Sequence, residues 1–454
     1  MWIPSSVPEF VAQVNTAAAS GGRVDVGTIV PFGPELKVAR YSLNNGLELL
    51  SCEDHAAPVI AYHTWFRVGS RHEREGKTGL AHLFEHLMFN ETEGRPRGEF
   101  DRLLEEAGAE NNASTWLDWT HYTISVPSDQ LELVVALEAE RMGRLVIKEA
   151  QVASEKEVVA NERRYRVEDD VEGAVNELLW STAFTTHAYR APTIGRMADI
   201  QSFTVEDCHE FYRTYYAPNN AAIVVVGDFA PAELVKLVSQ RYGGLQAAAL
   251  PAEEVHPEPP QTAERRVEVR KPTPTEKLCV GYHGPVIGDY DHLALTVLAE
   301  VLFGGRASRV HRALVREREL ASDVRVFVGP FRDPGLFEVA ASARNQHTAE
   351  ELLAVIDEQF EMVCRDPVPD EELERARARL ELSLLAGLET VEGKASTIGF
   401  FAALLGRPAG AFERLDLLPR ITASEVRRAA RRFLRPEARS VVLVRVDAPQ
   451  GRTA

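Results

Sequence analysis

FTVEDCHEFYRTYYAPNNAAIVVV, residues 203–226, superposes without a gap on ITASEVRRAARRFLRPEARSVVLV, residues 421–444, at an offset of 218. Thr204 matches Thr422, each placed to cap a helix whose first turn is acidic. Pro218 matches Pro436, and both precede an apolar run of strand character. Two unrelated helix–Pro–strand units could give such a match, but both copies close their halves of the chain. Internal duplication is the better reading. Between the halves, LQAAALPAEEVHPEPPQTAERR (Leu245–Arg266) has four prolines and little apolar periodicity, as an extended linker does. The expected domains are 24–244 and 267–449, joined by 245–266.

Within the first half, Lys37–Leu43 and Leu47–Cys52 flank Asn44-Asn45-Gly46, a hairpin signal, and Val59–Val68 is a further strand. Helices are expected near Arg97–Ala107, Leu131–Met142 and Val152–Leu179. Each half is therefore read as α+β, an antiparallel sheet covered by helices.

The chain has 454 residues, 45% hydrophobic and 26% charged, as in ordinary globular proteins. A formal net charge of −17 argues against nucleic acid, whose phosphates need a basic surface. It would suit a basic peptide, though a surplus that serves solubility is the commoner reason for such a charge. Cys52, Cys208, Cys279 and Cys364 are scattered with no CxxC, so reduced thiols are expected. No run of about 20 apolar residues predicts a membrane span. The opening MWIPSSVPEFVAQVNTAAAS makes a poor signal peptide, which favours the cytoplasm of a bacterium, or the periplasm if a leader was removed.

The chemistry gathers in His82-Leu83-Phe84-Glu85-His86, which Thr78 is placed to cap. At about 100° per residue, His86 lies roughly 40° round the helix from His82, and Glu85 roughly 60° round on the other side. One face thus offers two imidazoles and a carboxylate, as two zinc ligands and a general base require. This is the H-x-x-E-H order of the inverzincins. Two satisfied histidines and a surface glutamate form the bland alternative. The second half has HLALTVLAEVLFGG (His292–Gly305) after its first strand and no second copy of the motif.

A catalytic zinc usually takes a third protein ligand. In SEKEVVANERRYR, Glu155 and Glu162 stand two helical turns apart on one face. A donor is one reading of that spacing. A solvated helix with Glu–Arg pairs, given Arg163 and Arg164 alongside, is the other. His55, His63, His72, His121 and His187 lack ligand spacing and read as structural or surface residues. Trp116 and Trp119 read as core, with a contact to a bound peptide as the alternative.

GSRHEREGKTGLAHLFEHLMFNET (residues 69–92) resembles the active-site segment of the pitrilysin family, which includes insulin-degrading enzyme and mitochondrial processing peptidase. ENNASTWLDWTHYTISVP (110–127) resembles its substrate-side strand, and YYAPNNAAIVVVGD (215–228) is also similar to the family. The likeness runs over roughly residues 35–445 and suits the short, two-domain processing-peptidase branch. It implies one zinc per chain on His82, His86 and Glu162, the last 76 residues after His86. It further implies Glu85 as base, Glu155 as a carboxylate supporting a ligand, and Asn112, Ala113 and Arg316 as substrate contacts.

The implied activity is zinc-dependent endopeptidase cleavage of extended peptides or N-terminal extensions. A non-catalytic scaffold subunit is the alternative. Active single-chain members carry an Arg and, some six residues later, a Tyr. In LVRERELASDV, Arg316 fills the first position and Ser322 stands at the second. The expected partner is a homologous subunit carrying the Arg/Tyr pair, otherwise a second copy in a homodimer.

Overall fold

The computed structural model describes residues 6–253 and 256–447; the first five residues of the N-terminal reading and the last two of the second domain lie outside them. Seven strands form the first sheet: β1 (Val24–Phe32), β2 (Leu36–Leu43), β3 (Glu48–Glu53), β4 (Val59–Phe66), β5 (Glu110–Thr115), β6 (Thr120–Pro127) and β7 (Ala221–Gly227). Five form the second: β8 (Arg265–Lys271), β9 (Lys277–His283), β10 (Ala321–Val328), β11 (Leu336–Ala343) and β12 (Arg439–Val446).

The first sheet runs β1-β2-β3-β7-β4-β6-β5 and the second β10-β11-β9-β12-β8. Read from the other edge, the second repeats β3-β7-β4-β6-β5 strand for strand, and the β1–β2 hairpin is extra. The duplicated segments occupy equivalent places. Thr204 and Thr422 each cap a helix, in boxes closed by Asp207 and Glu425, and each helix leads into an interior strand of its sheet, β7 or β12. The β2–β3 hairpin turns where Asn44-Asn45-Gly46 predicts, with Gly46 at φ +89°.

The sheets are mixed rather than wholly antiparallel. β7 runs parallel to β3, and β12 to β8. In both cases the last strand returns after long helices and is inserted beside the first shared strand, so its direction is not set by a hairpin.

The expected helix over 152–179 is broken in two. One helix spans Glu149–Arg163, a π-helical turn follows over Arg164–Glu168, and a second helix spans Val171–Ala183. Asp170 caps the second by accepting from Gly173 N at 2.6 Å. A Cβ on Gly173 would come 1.9 Å from Arg166 O, so glycine permits this tight reversal.

The break has an architectural consequence. The described residues form two compact units, one from 6–160, 193–253 and 385–413, the other from 161–192, 256–384 and 414–447. Helix Val171–Ala183, from the first half in sequence, covers the second sheet: Asn176 Nδ2 and Trp180 Nε1 donate to Glu338 on β11 at 2.8 and 3.1 Å. Helix Val391–Leu405, from the second half, covers one face of the first sheet. Its Ala395, Ile398 and Ala402 pack on Val38, Leu50, Ala61, Trp65 and Val224. The opposite face of that sheet buries Tyr62, Phe66 and Ile223 with Leu83 and Phe84 of the motif helix. Helix Tyr290–Phe303, which contains the second-half stretch without a motif, is buried almost all round.

Candidate metal site

The motif lies on the helix Leu80–Leu87, whose apolar residues Leu80, Leu83, Phe84 and Leu87 are buried. Phe84 packs with its ring centroid 5.2 Å from that of Phe211 and 5.1 Å from that of Tyr216, and Tyr122 Oη donates to Phe84 O at 3.2 Å. The helix is thus fixed from behind by the sheet and by the duplicated helix Val205–Tyr215. His82 is buried, and Glu85 and His86 are half-buried. The His82 and His86 rings stand 5.0 Å apart at 74°.

Glu162 lies in the last turn of helix Glu149–Arg163, just before the π-helical turn. One donor atom from each of His82, His86 and Glu162 can be chosen so that all lie within 4.8 Å of one another. Tetrahedral zinc, with bonds of about 2.0–2.2 Å, holds its donors about 3.4 Å apart, and two imidazoles with one carboxylate leave a fourth position open. The residues fit such an ion in chemistry and in approximate spacing. Glu162 also pairs with Arg166 at 2.8 Å, so the donor and Glu–Arg readings of this helix both describe it.

Glu155 lies on the same helix, two turns earlier. Its Oε2 is 3.9 Å from His86 Nδ1, while Asn90 Nδ2 and Arg97 Nη2 both donate to its Oε1 at 3.3 Å. Asn112 and Ala113 are on β5, an edge strand of the first sheet, which among the described residues pairs only with β6 and lies against the motif helix. Arg316 is exposed on a π-helical turn, Arg312–Glu317, of the second unit. Ser322 is the second residue of the edge strand β10 and donates to Ser342 O at 3.3 Å.

Three of the other histidines face carboxylates. His63 Nε2 meets Glu392 at 2.9 Å, His187 Nε2 meets Asp333 at 3.0 Å, and His55 Nδ1 meets Asp228 at 2.6 Å. His121 stacks on Trp65, and burial pushes its imidazole down to about 3. Trp119 packs against Trp65, as core.

The cap of the motif helix is not Thr78. The N-cap is Gly79, at φ +95° and with no side chain to offer. Thr78 instead donates its Oγ1 to Asp199 at 2.5 Å and accepts from Arg196 N at 3.0 Å. Glu73 satisfies the helix: its Oε2 accepts from Gly79 N at 2.8 Å and its Oε1 from Ala81 N at 2.7 Å. Sequence reasoning missed it because capping rules look one to three residues from the helix, and Glu73 reaches across a loop.

The chain is similar to known proteins. The insulinase (peptidase family M16) domain matches residues 49–196, and the peptidase M16 inactive domain matches residues 202–380. Zinc protease PqqE of Helicobacter pylori is 32% identical over 369 residues, covering 80% of this chain and 82% of its own. The chain belongs to peptidase family M16. The uncharacterized zinc protease YmxG of Bacillus subtilis is 25% identical over 397 residues, 87% of this M16 chain and 95% of its own. A crystal structure of a protease from Helicobacter pylori superposes with a TM-score of 0.87 at 29% identity, covering 90% of this chain and 99% of that one. The peptidase M16 inactive domain from Pseudomonas fluorescens, at 19% identity and a TM-score of 0.82, shares the fold. The stretch matched to the inactive domain contains no H-x-x-E-H. Among the described residues no helix is long and apolar enough to cross a membrane.

Proposed function

We propose that this M16 chain is a zinc-dependent metalloendopeptidase that hydrolyses extended peptides or N-terminal extensions. The observation that carries the reading is the convergence of His82, His86 and Glu162 donors within 4.8 Å, with Glu85 on the same helix. In this reading 24–244 is the zinc-bearing domain, 245–266 the linker and 267–449 its homologous partner without metal.

Zinc bound by His82, His86 and Glu162 would bring the pKa of a water toward about 7 and polarise a peptide carbonyl. Glu85 takes the proton from the attacking water on a carboxylate oxygen and returns it to the leaving amine. Glu155 steadies His86 from the side away from substrate. The open edge of β5 at Asn112 and Ala113 holds substrate as an added strand, which selects extended over folded chains. Arg316 contacts substrate, and a homologous subunit supplies the tyrosine that Ser322 lacks. Four free cysteines, three of them buried, suit a reducing cytoplasm.

The test is Glu85→Gln, with metal content and peptide cleavage measured on one preparation. Wild type should carry one zinc per chain and cut a peptide library, alone or with the homologous subunit. The variant should keep the zinc and cut nothing. A wild type that takes up no zinc would leave a non-catalytic scaffold subunit as the reading, and a variant as active as wild type would remove Glu85 as the base.

A further inference from the structure

His82 sits in the first turn of its helix, so its position depends on how that turn is held. A helix start leaves backbone N–H groups without intrahelical partners, and here a single distant carboxylate takes two of them. Both oxygens of Glu73 are engaged, one on Gly79 N and one on Ala81 N, the residue before His82.

The loop that carries Glu73 is tied down by its neighbours. Gly79 and Gly195 meet backbone to backbone: a Cβ on Gly79 would lie 2.6 Å from Ile194 O, and one on Gly195 would lie 2.2 Å from Thr78 O. Asp199 holds Thr78 N and Oγ1, Arg196 pairs with Glu75 at 2.8 Å, and Lys77 pairs with Asp207 at 2.6 Å. This clasp ties residues 73–81 to 194–207. Within it, Glu73 grips the turn that carries His82.

We propose that Glu73 is a positioning residue for the metal site, fixing the first turn of the motif helix so that His82 is presented to the ion in one orientation. The inference rests on the zinc reading of His82, His86 and Glu162. It explains why the group is a carboxylate. Two backbone donors need two acceptor oxygens, whereas an amide would turn an N–H donor toward one of them. Aspartate would be one methylene too short. Burial raises the Glu73 carboxyl, and the two N–H groups oppose that rise by favouring its charge.

The experiment compares zinc release to a chelator from wild type, Glu73→Gln and Thr78→Val, well below the melting temperature of each. Thr78→Val loosens the same clasp without touching the helix N–H groups, and both variants should lose a few degrees of Tm. Glu73→Gln should bind zinc about 10- to 100-fold more weakly, while Thr78→Val releases it at the wild-type rate. If Glu73→Gln proves unfolded, Glu73→Asp takes its place with the same expectation. Equal zinc retention in the Glu73 variant and wild type, or equal losses in both variants, overturns the positioning role. A wild type that binds no zinc overturns the metal reading itself, which distinguishes the two failures.

Discussion

Glu392, 329 residues along the chain from His63, lies 2.9 Å from its Nε2 at the centre of the first sheet. Ser125 Oγ donates to the same Glu392 oxygen at 2.8 Å. Burial works against the Glu392 charge, but the bond to His63, the charge of His63 and the Ser125 bond together outweigh it and hold the carboxyl below its usual range. One residue of the exchanged helix thus satisfies two strands, β4 and β6, that the first half leaves polar on this face. Glu392→Ala should leave His63 buried with a lost partner and destabilise the protein by about 1–3 kcal/mol. Denaturant unfolding of the variant checks this; a midpoint equal to wild type would show the pair to be incidental.

The reciprocal exchange makes a pH prediction. Glu338 on β11 accepts from Asn176 and Trp180 of helix Val171–Ala183, and burial pushes its carboxyl up to about 7. The unfolded chain releases this proton near 4.5. Between those values the folded state binds more protons, so this group's contribution to stability falls as pH rises from 4.5 to 7. Glu338→Gln removes the titration and keeps an acceptor for Trp180. Its stability relative to wild type should therefore climb across that window, by about 3 kcal/mol at most, and level off above it. A flat difference between the two unfolding curves would place the charge elsewhere.

These exchanges explain what the sequence does and does not reveal. Thr204 with Asp207, and Thr422 with Glu425, are capping pairs three residues apart, so their repetition can be read directly. His82, Glu85 and His86 are equally legible, because one helix sets their geometry. The break at Asp169–Asp170 is harder to see, since apolar residues continue on both sides and only the Asp170 cap and the Gly173 contact force the reversal. Glu73, Glu338 and Glu392 act through contacts made after the chain has folded. Nothing in their neighbours' spacing announces them.

Around the candidate metal site, Glu155 is held by Asn90 and Arg97 with its other oxygen toward His86. If that contact orients the imidazole, Glu155→Gln should weaken zinc binding about 10- to 100-fold while leaving far-UV circular dichroism unchanged. Chelator competition measures the affinity. Wild-type affinity in the variant would reduce Glu155 to a partner of Asn90 and Arg97.

Arg166 offers the opposite case. It pairs with Glu162 one helical turn away, and its side chain is 67% exposed against 18% for Glu162. An ion competing for the same carboxylate must displace or share that pair. Exposed pairs four residues apart on a helix contribute only about 0.3–0.5 kcal/mol, so Arg166→Ala should tighten zinc binding about twofold at low salt. The gain should fade as added salt screens the pair in wild type. Competition titrations at two salt concentrations test this. Weaker binding in Arg166→Ala would mean that the arginine holds Glu162 in its ligating orientation rather than competing for it.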